Sequence, residues 1–136
     1  MERFKLIEHT ADIGLAAYGQ DLKEAFANAA YGMFSIIAGL ENVKEKETRR
    51  VAVTADDIES LLFEWLNALL YYFDVEQLLF NVFDILELEE TKLVADCRGE
   101  VFDPARHEIK TGVKSATYHL LEVDKKNHKV QVIFDI

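Results

Sequence analysis

Three stretches of this 136-residue chain hold polar residues whose types and spacing could do chemistry. His9-Thr10-Ala11-Asp12 follows a short alternating segment near the start, and Thr111-Gly112-Val113-Lys114 opens a late apolar segment. Asp135 and Ile136 close the sequence, which sets a side-chain carboxylate one residue from the terminal carboxylate. Two anions that close repel unless a cation, an arginine or water screens them. Hard cations such as Ca2+ and Mg2+ take oxygen ligands, and carboxylates with a backbone oxygen suit them. If the last strand lies beside the first, Asp12 comes near Asp135 and completes a small acidic site. Spacing alone leaves the alternative open: Asp135 as a solvated strand end and Asp12 as a turn former or helix cap.

The remaining chemistry is thinner. His9, His107, His119 and His128 form no i, i+4 pair and no zinc spacing. Ser35, Ser60 and Ser115 lack the strained Gly-x-Ser-x-Gly setting of a hydrolase nucleophile. Neither a Gly-x-Gly-x-x-Gly loop nor a P-loop occurs. Lys114 shares a strand face with Ala116 and Tyr118, so it could reach a phosphate or an acidic group, or simply face solvent. Arg98-Gly99-Glu100 and Arg106-His107 read as solvated charges at turn edges. Cys97 is the only cysteine, which excludes an intrachain disulfide and a cysteine-based zinc cluster, and no motif activates its thiol. Catalysis by this chain alone is poorly supported.

Composition narrows the partners. Fifteen Lys and Arg against 25 Asp and Glu give a net charge of −10. Affinity for nucleic acid comes largely from cationic side chains displacing phosphate counterions, so autonomous RNA or DNA binding is disfavoured. Protein partners and hard cations remain. Half the residues are apolar and 29% charged, an ordinary globular balance for one domain spanning 1–136. The opening residues lack the apolar core of a signal peptide, and no apolar run approaches the ~18–20 residues of a spanning helix. A cytoplasmic protein without a membrane partner is expected.

Positioning these residues falls to the elements around them. Residues 3–8 alternate as a strand, 9–14 favour a turn, and 15–19 form a second strand. Over 21–38, Leu22, Ala25, Phe26, Ala29, Ala30, Met33, Phe34 and Ile37 keep helical spacing, with Asp21 and Glu24 as a capping pair and Gly39 as the stop. A loop over 41–50 leads to a strand at 49–54. Thr54 is then placed to cap a helix over 55–73, whose buried face holds Ile58, Leu61, Leu62, Trp65, Leu69 and Phe73. Leu66 and Leu70 widen that face and imply packing on two sides. Residues 79–89 and 92–102 form a long hairpin, 113–123 another strand, and 130–136 the last. The expected class is α+β, two helices packed on a mainly antiparallel sheet.

Taken together, these segments resemble the archease family along nearly the whole chain. The matching stretches are His9 to Gly14, the Leu22–Phe34 helix, Leu61-Leu62-Phe63-Glu64-Trp65-Leu66-Asn67, Arg98-Gly99-Glu100, Arg106-His107, Lys110 to His119, and Phe134-Asp135-Ile136. The resemblance implies a non-catalytic accessory of the RtcB-type RNA ligase, which seals tRNA exon halves with GTP and a divalent metal. Archeases promote guanylylation of that ligase and its multiple turnover, meeting RNA only through it. The resemblance also implies a calcium site, open to Mg2+ or Mn2+, made by Asp12, Asp135 and an oxygen of Ile136. Lys114 matches a family position linked to activation, as a contact to the ligase or its nucleotide. A chaperone-like modulator of RNA-processing enzymes, such as tRNA methyltransferases, is the alternative. Ala68 stands where the family often has an acidic residue, which removes a carboxylate from that helix turn.

Overall fold

The computed structural model describes residues 2–8 and 12–136. The elements run β1 (Phe4–Glu8), β2 (Asp12–Tyr18), α1 (Leu22–Ile37), β3 (Glu47–Thr54), α2 (Ile58–Glu76), β4 (Leu78–Leu88), β5 (Lys92–Val101), β6 (Ser115–Ala116), β7 (Glu122–Asp124) and β8 (Lys129–Asp135). All strand pairings among the described residues are antiparallel, in line with the expected α+β class. The strands, however, make two sheets rather than one. One has the order β1-β2-β8-β6, with β7 also on β8; the other is β3-β5-β4.

Both helices contact strands of both sheets, which explains their wide apolar faces. On α2, Leu66 and Leu70 are buried together with Ile58, Leu61, Leu62, Trp65 and Leu69, so packing on two sides holds. On α1, Ile36 and Gly32 are buried beyond the expected stripe. An aromatic cluster joins the layers: Phe34 of α1 lies 5.8 Å from Phe80 and from Phe83 of β4, and Trp65 of α2 meets Phe83 at 6.3 Å. The Trp65 indole N–H donates to the Phe26 carbonyl at 3.1 Å, so this buried donor is satisfied.

Local differences from the sequence reading have local causes. Asp12 to Gly14 belong to β2 instead of a turn, because β8 pairs with them residue by residue. Gly39 does not stop α1; the helix ends at Ala38, which is extended and bridges to Ile109, while the Lys110 N–H donates to the Ile37 carbonyl. A distant segment satisfies that helix end. Thr54 pairs with Lys92 as the last residue of β3, and Asp57 caps α2 by accepting from the Ser60 N–H. The expected strand at 113–123 shrinks to β6 and β7, separated by a turn in which Leu120 takes φ 53°. No helix among the described residues is long and apolar enough to cross a membrane.

Candidate functional site

Sheet register assembles the site. Asp12 opens β2 and Asp135 ends β8, and they face each other as direct cross-strand partners. The neighbour of β8 is thus the second strand, with β1 beyond it, and not the first strand as the sequence reading supposed. Directly opposed residues on adjacent strands present their side chains to the same face, and like charges so placed are destabilising. On its other side Asp135 pairs with Ser115, and its carbonyl accepts the Lys114 N–H at 2.8 Å. Asp12, Asp135, Ile136 and Lys114 therefore meet at one end of one sheet. Asp12 is half-buried, whereas Lys114, Asp135 and Ile136 are exposed. His9, the other acid-base candidate of this stretch, lies outside the described residues.

Two opposed carboxylates form a donor set suited to a hard divalent cation, which would turn their repulsion into attraction. Among the described residues no group of three or more His, Cys, Asp or Glu could hold a metal ion. Asp12 and Asp135 would then supply two ligands, with further oxygens from the main chain, such as that of Ile136, from a side-chain hydroxyl or amide, or from water.

Asn67 holds this end of the sheet to α2, a role the sequence reading missed. Its side-chain Oδ1 accepts the Ala116 N–H at 2.9 Å and its Nδ2 donates to the Ala116 carbonyl at 3.4 Å. A two-residue strand is thereby paired with a side chain on one edge and with β8 on the other. The signal was a lone amide amid the apolar residues of α2. Asn67→Ala is expected to cost about 1–2 kcal/mol, the penalty for unpaired backbone groups in a partly buried place. Chemical denaturation should show that loss, and amide exchange at Ala116 should accelerate.

A second polar cluster, whose residues resemble solvated turn edges in sequence, is buried at its centre while Arg106 stays exposed at its edge. Glu100 is 3% exposed and His107 5% exposed. The Glu100 carboxylate accepts from Arg106 Nη2 at 2.5 Å and Nη1 at 3.2 Å, and from the Lys44 N–H at 2.7 Å. His107 Nδ1 accepts the Asp103 N–H, which leaves the proton for Nε2, 3.1 Å from Glu100. The Arg106 guanidinium above all, opposed by burial, holds the Glu100 carboxyl down at about 2. This cluster closes the 41–46 loop and the 103–107 turn over β5 and lies apart from the Asp12–Asp135 pair in the other sheet. Cys97 is buried, and desolvation pushes its thiol up to about 12, so it stays inert.

The sequence profile of the archease protein family (MTH1598/TM1083) matches residues 4–136. The chain is 42% identical over 130 residues to the protein archease of Sulfurisphaera tokodaii, covering 94% of this chain and 93% of that one. Its structure is similar to the solution structure of Methanobacterium thermoautotrophicum protein 1598, at TM-score 0.81, 35% identity and full coverage of both chains. The fold also matches the crystal structure of a Thermotoga maritima archease described as a possible chaperone, at TM-score 0.63 and 21% identity over 97% of this chain and 96% of that one. With the family profile matching residues 4–136 and a relative 42% identical over nearly the full length of both chains, this chain belongs to the archease family.

Proposed function

We propose that this protein is a non-catalytic, cytoplasmic activator of the RtcB-type tRNA-splicing ligase, promoting guanylylation and multiple turnover in the joining of tRNA exon halves. The observation that carries the reading is the opposition of Asp12 and Asp135 across β2 and β8, with Lys114 bonded to the same residue. A pair of carboxylates held in register is costly to a fold unless something binds there. A divalent cation, calcium foremost and Mg2+ or Mn2+ as substitutes, would be held by Asp12, Asp135 and a main-chain oxygen of Ile136. It would supply positive charge at the sheet end, beside the Lys114 ammonium. Lys114 then offers its side chain to the ligase or to its nucleotide phosphates. The net charge of −10 suits contact with an RNA enzyme without competition for its RNA.

The test is multiple-turnover ligation with limiting ligase from the same organism, alone or with wild type, Asp12→Asn or Lys114→Ala. Wild type should stimulate turnover and both variants should not. Calcium should raise the melting temperature of the wild type and leave Asp12→Asn unmoved. In chelator, Asp12→Asn should be at least as stable as wild type, because it removes the repulsion. Absence of stimulation by folded wild type would sink the activator reading. Protection of a tRNA methyltransferase from aggregation, unaffected by Asp12→Asn, would favour the chaperone-like role.

A further inference from the structure

Among the described residues, three other than glycine have positive φ: Gln77 at 57°, His128 at 51° and Leu120 at 53°. Gln77 ends α2 in the left-handed conformation usual for that place, and its N–H donates to the carbonyls of Phe73 and Tyr72. His128 sits in the four-residue turn between β7 and β8. Leu120 has no such explanation. The left-handed region disfavours a bulky L side chain, and an Asn or Gly would hold this turn with less strain.

The backbone around Leu120 is nonetheless pinned from several sides. The Thr117 N–H and hydroxyl both donate to the Ile133 carbonyl, at 3.0 and 2.8 Å. The Leu121 N–H donates to the Tyr118 carbonyl at 3.2 Å, and Gln131 Nε2 donates to the Leu120 carbonyl at 3.0 Å. The Tyr118 ring stacks on Phe63 of α2, with centroids 4.2 Å apart and planes at 18°. Two large apolar side chains stay in water all the same: Tyr118 is 56% and Leu120 53% exposed. A pinned backbone displaying exposed apolar groups, one of them on the strained Leu120, has already lost the freedom that binding would otherwise cost.

Charge selects the occupant. Glu64 follows Phe63 and Glu122 follows the turn, both exposed, in a chain of net charge −10. A second copy of the chain, an anionic membrane or RNA would bring like charges together here. A protein surface with an apolar pocket and a basic rim would not. The turn is continuous with the candidate site, since β6 links it directly to Lys114 and pairs with Asp135.

We infer that the 118–120 turn is a protein-docking element whose Tyr118 and Leu120 enter an apolar pocket with a basic rim on the ligase; this partner rests on the proposed function. The experiment is calorimetric titration of the ligase, in calcium, with wild type, Leu120→Asn and Tyr118→Ser, paired with thermal unfolding and sedimentation of each. Leu120→Asn should weaken binding at least about tenfold, as loss of a central anchor does. It should also melt higher by roughly 2–4 °C, because the strain is gone. Tyr118→Ser should weaken binding similarly while remaining folded. Wild-type affinity in both variants would overturn the docking role and leave the ligase reading standing. No binding by wild type would overturn the ligase reading and the docking role with it. A wild-type dimer that the variants dissociate would reassign the turn to self-association.

Discussion

Gly99→Ala should cost at least about 3 kcal/mol and lower the melting temperature by roughly 10 °C, a large share of the stability of a small domain. Gly99 lies inside β5, paired with Glu47 on one side and Phe80 on the other. A Cβ there would lie 1.8 Å from the Leu79 carbonyl oxygen and 2.8 Å from the Phe80 Cα. These are backbone atoms of β4, so no rotamer change relieves the clash. The register of β4 shifts between Phe80 and Val82, a bulge at the point of closest approach. Positive φ is not involved, since no glycine of the described residues has it. The demand is for space alone. Gly112→Ala is the matched control: a Cβ there meets nothing within 4 Å, and its effect should stay within about 0.5 kcal/mol. Equal melting of the two variants would show that β4 and β5 can part without cost.

Gly99 also shows where sequence periodicity stops being informative. The apolar stripe of α1 and the β4–β5 hairpin were legible, because each follows from contacts close along the chain. That Asp12 and Asp135 could come together was legible only as a condition on strand order, since Asp is also favoured in turns and at strand ends. Their pairing through β2 was not legible, because strand order within a sheet depends on contacts over a hundred residues apart. Arg98, Gly99 and Glu100 carry two charges and a glycine, which locally resemble a turn. Alternation along β5 puts Leu93, Ala95 and Cys97 in the core, so Glu100 faces away from the helices. Nothing local says that the 41–46 loop and the 103–107 turn fold over that outer face and bury it. The same limit hid Asn67, whose partners lie 49 residues away.

Burial of Glu100 leads to the second large effect, and to its sign with pH. Removing the carboxylate strands the Lys44 N–H and the His107 ring and leaves Arg106 with only Asn42 and Asp103, so Glu100→Ala is expected to cost about 2–4 kcal/mol. The estimate sits below a fully buried pair because the Arg106 side chain is 36% exposed. The folded carboxyl titrates at about 2, well below the ordinary 4.5 of a glutamate carboxyl. A depressed carboxyl contributes its stability in full above the unfolded value and loses it as pH falls through the folded one. The gap in unfolding free energy between wild type and Glu100→Gln should therefore be constant from pH 7 to about 5 and narrow steadily from there towards about 2. Asp57, Asp96 and Asp124 are also held low, by the Ser60 N–H, by Arg50 and by Asn127, and they add acid sensitivity common to both proteins. The difference between the two isolates Glu100. A gap that stayed constant down to pH 2 would mean that the Glu100 ion pair contributes no charge-dependent stability. Chemical unfolding of both proteins at a series of pH values decides it, and the calcium response proposed for Asp12 and Asp135 in the other sheet should be the same in Glu100→Gln at neutral pH.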